Sequence, residues 1–116
     1  MTRYDIEKII KEGGATLTAD GAPVTFARGY QVSKKDCYCL TVGNVRAIVR
    51  AVNKVLKELK PGDFCGIWID GEGFAYIDIS EHIARKRDAL RLGRERHQKS
   101  VYEWRTGKAP ECHPGA

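Results

Sequence analysis

Residues 64–79 read FCGIWIDGEGFAYIDI, and this stretch decides the fold class. Two apolar runs, 64–69 and 74–79, lie on either side of the polar run DGEG at 70–73. An Asp-Gly pair between alternating apolar runs is the strongest short-range signal for a β-hairpin. Ile67 and Ile69 point one way and Trp68 the other, so both faces of this hairpin are apolar. We therefore expect helices or a partner to cover both faces at least in part.

Residues 44–60, which precede the hairpin, are predicted to form a long amphipathic helix. Its apolar residues recur with the helical period: Val45, Ile48, Val49, Val52, Val55, Leu56 and Leu59. Pro61 ends the helix because proline disfavours helical geometry in the residue before it. The polar face carries the cations Arg46, Arg50, Lys54 and Lys57. We interpret it as a second, weaker basic stripe, since we expect Glu12, Asp20 and Asp36 nearby in the fold.

The rest of the chain predicts shorter elements. A short helix follows the cap residue Thr2, and strands are expected at 15–20, 24–32 and 37–42. A helix over 81–97, capped by Asp78 or Ser80, and a strand over 101–105 complete the chain. The order α-β-β-β-α-β-β-α-β lacks the regular alternation typical of a parallel sheet. We predict an α+β fold, a mostly antiparallel sheet of five to six strands with one long amphipathic helix and two shorter helices.

Length and composition indicate a single domain. The chain has 116 residues, of which 42% are hydrophobic and 30% charged, enough for one modest core. We expect residues 1–108 to form this domain and residues 109–116 to form a flexible C-terminal tail. No apolar run is long enough to cross a bilayer, and the N-terminus lacks the apolar segment of a secretory signal. We therefore expect a cytoplasmic protein with no membrane partner.

The basic charge is concentrated in one segment. The whole chain has a net charge of +5, whereas residues 85–108 alone hold nine basic and three acidic residues. Such a segment attracts nucleic acids or acidic protein surfaces, although the same arginines could simply keep a solvated helix soluble. The candidate residues for binding an anionic partner are Arg87, Arg91, Arg94, Arg96, His97, Lys99, Tyr102 and Arg105.

The motifs of several enzyme classes are missing from the sequence. It contains no nucleotide-binding glycine loop, no serine-hydrolase elbow and no metalloprotease helix. The carboxylates around the hairpin, Asp70, Glu72, Asp78 and Glu81, are residue types that turns and caps select anyway. We therefore predict no catalytic residue and no cofactor.

The four cysteines favour reduced thiols over a metal site. Cys37 and Cys39 could share a strand face and ligate a metal with Cys112 and His113. Their spacing, however, does not match the ligand pairs of structural zinc sites. We expect no metal, and we expect Cys65 to be buried.

Part of the sequence resembles small uncharacterised proteins of phages and other mobile elements. The similar stretches are Ile67-Trp68-Ile69-Asp70, Tyr76-Ile77-Asp78-Ile79-Ser80, Ala89-Leu90 and His97-Gln98 through Tyr102, about half of the chain. That group has no assigned activity. The resemblance implies an origin in a prophage or plasmid, and an accessory role that depends on binding other factors.

Three hypotheses about function follow. We favour a non-enzymatic binding module that engages an anionic partner, nucleic acid first, through the basic helix. The alternatives are a homo-oligomeric structural or assembly protein, which associates through residues 64–79, and a small metal-independent RNase. In the RNase, His97 or Tyr102 would assist proton transfer while arginines stabilise the phosphate.

Overall fold

The computed structural model, which describes residues 1–113, contains three helices and five strands within that range. In chain order they are α1 (Arg3–Glu12), β1 (Gly14–Leu17), β2 (Tyr30–Thr41), α2 (Val45–Glu58), β3 (Phe64–Ile69), β4 (Phe74–Ile83), α3 (Lys86–Glu95) and β5 (Tyr102–Glu103). The strands form one sheet in the order β1-β3-β4-β2-β5, and every neighbouring pair is antiparallel. The predicted α+β class with an antiparallel sheet is confirmed, and the element order matches approximately.

The hairpin β3–β4 forms as its sequence predicts. Ile67 pairs with Ile77 and Trp68 pairs with Tyr76 across the two strands. In the turn, Oδ1 of Asp70 accepts hydrogen bonds from the backbone N–H groups of the second and fourth residues after it. The isoleucines are buried, whereas the tryptophan is 62% exposed. The two faces of the hairpin therefore have different environments.

Helices α1 and α2 pack on the isoleucine face and form the main core. Asn44 begins α2, because its Oδ1 accepts a hydrogen bond from the backbone N–H of Ala47. The helix bounds lie within two residues of those predicted. The buried residues of this core are Ile6, Ile9, Leu17, Ile48, Ala51, Val52, Val55, Cys65, Ile67, Ala75, Ile77 and Ile79.

A second, smaller core lies beneath α3. It contains Tyr30, Val32, Ala89, Val101 and Cys112.

This second core corrects the prediction of a flexible tail from residue 109. Cys112 is fully buried, and its backbone N–H donates to the carbonyl oxygen of Lys99 at 2.9 Å. The Cys112 sulfur lies against Gly93, where any side chain would overlap it. The segment therefore packs where α3 has no side chain, up to its last described residue, His113. Residues 114–116 of the predicted tail lie outside the described residues.

Two of the predicted strands merge and one segment is not a strand. Instead of separate strands at 24–32 and 37–42, a single strand β2 runs from Tyr30 to Thr41, because β4 pairs with it from end to end apart from two register shifts, between Ser33 and Lys35 and between Asp36 and Tyr38. Residues 24–29 leave the sheet, and the ring of Phe26 packs against Phe64, His82 and Trp104.

The third helix begins later than predicted. Because Tyr30 pairs with Ile83, strand β4 continues through the residues that the sequence assigned to the start of the helix. Asp78 and Ser80 consequently lie within a strand and cap nothing. Arg85 is the N-cap residue and makes no side-chain cap hydrogen bond. The last strand is also shorter than predicted, because only Tyr102 and Glu103 pair with β2.

Strand register places all three helices on one side of the sheet. In β4 the odd-numbered residues face the cores, and the even-numbered residues point the other way. We call this second surface the open sheet face and define it by Asp36, Cys39, Trp68, Tyr76 and Asp78. The opposite surface, formed by α1, α2 and α3, is the helical side. No helix within residues 1–113 is both long and apolar enough to traverse a bilayer.

The contact between Gly93 and Cys112 predicts the effect of a methyl group at Gly93. In an exposed helix Gly→Ala adds about 1 kcal/mol of stability, because glycine has the lower helix propensity. Here we expect Gly93→Ala to lower the free energy of unfolding by about 1–3 kcal/mol, since the new methyl overlaps the sulfur. Chemical denaturation of Gly93→Ala in the wild-type and Cys112→Ala backgrounds measures this. Equal effects in both backgrounds would contradict the packing of Cys112 on α3.

Candidate functional site

The arginines of α3 form an exposed stripe on the helical side. Arg87, Arg91 and Arg94 are all exposed and are spaced four and three residues apart, on one side of the helix. Arg91 pairs with Glu95 at 3.2 Å and lies 3.9 Å from Asp88, so part of its charge is neutralised within the helix. We call these three arginines the α3 arginine stripe.

The remaining members of the predicted site have different surroundings. The guanidinium of Arg96 is occupied within the fold, because it pairs with Glu81 at 3.1 Å and donates to the carbonyl oxygen of Ser33. Tyr102 lies beside Trp104 on the opposite side of the sheet from the stripe, since it pairs with Gln31. Lys99 and Arg105 are both exposed. The structure therefore brings together only part of the predicted set.

His97 has a structural role that its sequence did not reveal. Its φ of 57° places it in the left-handed region, immediately after the end of α3. Its backbone N–H donates to the Arg94 carbonyl oxygen, and that of Gln98 donates to the Gly93 carbonyl oxygen. This is the Schellman pattern of helix termination, a position that glycine usually occupies. The backbone conformation of His97 is thus explained by the helix end.

A second basic stripe on α2 is more exposed than the sequence suggested. Its members are the exposed residues Arg46, Arg50, Lys54 and Lys57. Sequence reasoning expected Glu12, Asp20 and Asp36 to weaken it. Within residues 1–113, however, no carboxylate lies within ion-pair distance of these four cations. We call this set the α2 basic stripe. The sequence spacing revealed the stripe, but only the fold shows that it is not neutralised.

The open sheet face has the opposite charge. Asp36 and Asp78 are cross-strand neighbours in β2 and β4. Oδ1 of Asp78 is buried and has no hydrogen-bond partner among the described residues. The carboxyl group packs on Gly66, where a Cβ atom would overlap it. Burial, together with the charge of Asp36, raises the pKa of Asp78 to about 6.

Two aromatic side chains border these carboxylates. Trp68 is 62% exposed and Tyr76 is 38% exposed, and their ring centroids are 5.2 Å apart. The hydroxyl of Tyr76 donates to Oδ2 of Asp70 at 3.1 Å, and this hydrogen bond raises the pKa of Tyr76 to about 12. An open depression of about 360 Å³ lies beside them, lined in part by Asp36, Cys39, Tyr76 and Asp78. The open sheet face is therefore both acidic and aromatic.

The cysteines do not converge. A register shift in β2 between Asp36 and Tyr38 places Cys37 against the main core, whereas Cys39 is exposed and pairs with Tyr76 on the open sheet face. The expectation that Cys37 and Cys39 share a face was therefore wrong, because the bulge breaks the two-residue alternation. No cluster of potential ligands able to hold a metal occurs within residues 1–113. Cys65 is buried as predicted, and burial raises the pKa of its thiol to about 12.

No protein-family model, no curated protein and no solved structure matches this chain. The resemblance to proteins of phages and mobile elements stays a prediction.

The buried carboxyl group of Asp78 predicts a pH dependence of stability. Its pKa is raised from 3.8 to about 6, so the folded chain binds this proton more tightly than the unfolded chain. The contribution of Asp78 to stability is therefore greatest at low pH and is lost as the pH rises through this interval. We expect Asp78→Asn to raise the free energy of unfolding by about 2–3 kcal/mol at pH 8 and to have little effect below pH ~4.

Denaturant titrations of wild type and Asp78→Asn across this pH range test the expectation. Asp36→Asn is the matched control, because it removes the neighbouring charge and leaves Asp78 buried. A smaller gain is expected for this control. If Asp78→Asn were destabilising at every pH, the account of Asp78 would be wrong.

The conformation of His97 predicts an outcome that separates a structural from a catalytic role. His97→Gly relieves a left-handed backbone and should raise the free energy of unfolding by about 1 kcal/mol. His97→Ala keeps the unfavourable φ and should give no gain. Thermal unfolding of the two variants checks this, and an assay of RNA hydrolysis on the same samples tests the RNase hypothesis. Only a catalytic imidazole would make both variants lose a hydrolytic activity that the wild type has.

Proposed function

We propose that this protein is a non-enzymatic module that binds the phosphate backbone of a nucleic acid through its helical side. The observation that carries the proposal is the α3 arginine stripe, three exposed arginine residues along one side of a single helix, although the guanidinium of Arg94 also donates to the carbonyl oxygen of Cys112 at 3.4 Å. Arginine is suited to this role because its planar fork can donate two hydrogen bonds to one phosphate.

The arrangement of charge favours a polyanion over a compact acidic ligand. From Arg87 to Arg94 the stripe extends over seven residues, or about 10 Å of helix. Cations arranged along a line match a ligand with charges at regular intervals, as in a phosphate backbone. The segment 85–108 carries the excess charge of the chain, since it holds nine basic and three acidic residues. An acidic protein surface is the alternative ligand, and the test below distinguishes it.

The opposite side of the molecule restricts how such a ligand can bind. The open sheet face exposes Asp36 and has beside it the carboxyl group of Asp78, whose Oδ1 has no hydrogen-bond partner within residues 1–113. Phosphates are repelled there at neutral pH. We therefore expect nucleic acid on the helical side only, and stacking on Trp68 or Tyr76 has no role in this proposal.

A second candidate function is self-assembly, and a separate observation favours it. Trp68 and Tyr76 of the hairpin at residues 64–79 are large aromatic side chains that remain exposed in the single chain. Tryptophan and tyrosine are enriched at the centres of protein interfaces. The RNase hypothesis has no comparable support from the geometry, because Tyr102 lies on the opposite side of the sheet from the α3 arginine stripe.

Replacement of the α3 arginine stripe tests the proposed function. For wild type, fluorescence anisotropy should show binding to labelled duplex DNA, single-stranded DNA or RNA that weakens steeply between about 50 and 200 mM salt. For Arg87→Gln/Arg91→Gln/Arg94→Gln, the affinity at the lower salt should fall by about 10- to 100-fold. The slope of log affinity against log salt should shrink by about 2–3 for duplex DNA, because about three phosphate contacts are lost.

The control removes the same charge from another helix. Arg46→Gln/Arg50→Gln/Lys54→Gln has the same net charge as the first variant, and we expect it to lose much less affinity. Equal losses would show that net charge alone drives binding and would overturn the assignment to α3. An absence of binding by the wild type at the lower salt would overturn the nucleic-acid proposal and direct the search to acidic proteins.

A further inference from the structure

The two sides of this protein are complementary in charge. The helical side carries the α2 basic stripe, whose four cations lack an ion-pair partner within residues 1–113. The open sheet face carries the exposed Asp36 and the largely buried Asp78, Asp70 lies beside Tyr76 at the hairpin turn, and none of these carboxylates pairs with a cation within residues 1–113. Within residues 1–113 the cations of one surface and the carboxylates of the other are therefore not neutralised by an ion pair, although Asp36 accepts hydrogen bonds from Ser33 and Gln98.

The open sheet face also has the apolar groups that an interface requires. Trp68 is 62% exposed on β3, and the ring of Tyr76 lies beside it on β4. An arginine side chain packs favourably on such rings, because the guanidinium group is attracted to the aromatic face. The carboxylate of Asp36, on the next strand, would then lie within reach of the same guanidinium group. Carboxylates beside exposed aromatic rings select an arginine-bearing partner.

The dimensions of the two surfaces also agree. The open sheet face extends over β3, β4 and β2, adjacent strands that together span about 10 Å. A helix with its side chains has a diameter of about 10–12 Å. The α2 basic stripe runs from Arg46 to Lys57, about 16 Å along the helix. One helix can therefore lie across the three strands with its cations above the carboxylates.

We propose that the open sheet face of one copy binds the α2 basic stripe of a second copy. The inference rests on the second candidate function, self-assembly, and names the two surfaces that meet. A nucleic acid does not suit the open sheet face, because carboxylates repel phosphates. The second copy is the occupant that the molecule itself supplies, since α2 presents arginines that no described carboxylate neutralises.

This contact is head-to-tail. The two surfaces lie on opposite sides of each copy, so a single neighbour cannot contact both, and the contact does not close into a dimer of two-fold symmetry. Contacts of this kind generate rings or open chains of molecules. Because oppositely charged groups form the contact, salt should weaken it. The α3 arginine stripe takes no part, and it stays available for nucleic acid.

Two variants, each with one surface disabled, test the proposal. Trp68→Ala/Asp36→Lys disables the open sheet face, and Arg50→Glu/Lys54→Glu disables the α2 basic stripe. All four residues are exposed, and circular dichroism with thermal unfolding verifies that both variants fold. Lys86→Glu/Lys108→Glu is the matched control, because it reverses two exposed cations that lie outside both the proposed contact and the α3 arginine stripe. Sedimentation velocity from micromolar to millimolar protein, at low and high salt, measures the assembly.

The expected pattern is specific to a head-to-tail contact. Wild type and the matched control should form oligomers that grow with concentration and dissociate at high salt. Each disabled variant alone should associate at least tenfold more weakly. An equimolar mixture of the two disabled variants should form a dimer and nothing larger, because one contributes an intact sheet face and the other an intact α2.

Other outcomes overturn the proposal in distinguishable ways. If the wild type is a monomer at every concentration, both self-assembly and this contact are excluded. If the wild type assembles and Arg50→Glu/Lys54→Glu assembles equally well, self-assembly stands but the role of α2 is excluded. If the mixture stays monomeric or forms larger oligomers, the head-to-tail arrangement is excluded.

Discussion

The ladder between β2 and β4 is the interaction on which the other elements depend. Ten residue pairs join these two strands at the centre of the sheet, from Tyr30 with Ile83 to Thr41 with Phe74. The ladder joins the main core to the smaller core beneath α3, because each strand contributes buried residues to one or both of them. It also determines where α3 can begin, since residues that pair in β4 are not available to a helix.

Strand alternation in that ladder separates the two sides of the molecule. Odd-numbered residues of β4 face the helices, so α1, α2 and α3 all pack on one surface. Even-numbered residues, among them Tyr76 and Asp78, remain on the other surface with Asp36 and Trp68. The cations of the amphipathic helices consequently point away from the carboxylates of the sheet. A chain with a modest net charge of +5 thus has one basic and one acidic side. The first proposal assigns a nucleic acid to the helical side, and the second assigns another copy of the chain to the open sheet face.

The candidate site was predictable where a residue's role depends on its own element. Arg87, Arg91 and Arg94 share one side of α3 because of helical periodicity alone, and the structure retains this stripe. Arg96 belongs to the same basic segment, yet its guanidinium pairs with Glu81, a residue fifteen positions away in another element. The sequence could not reveal that Asp78 is buried either, because its environment depends on Gly66 across β3–β4 and on Asp36 across β2–β4.

The sequence by itself determined the hairpin at 64–79, the amphipathic helix α2, the α+β class and the position of the basic segment. These features follow from local periodicity and turn chemistry, which act between residues a few positions apart. Only the tertiary structure decided that β2 is continuous, that β4 extends to Ile83 and that Cys112 packs beneath α3. Each of these depends on a partner distant in sequence, whose hydrogen bonds or packing outweigh the local preference of the segment.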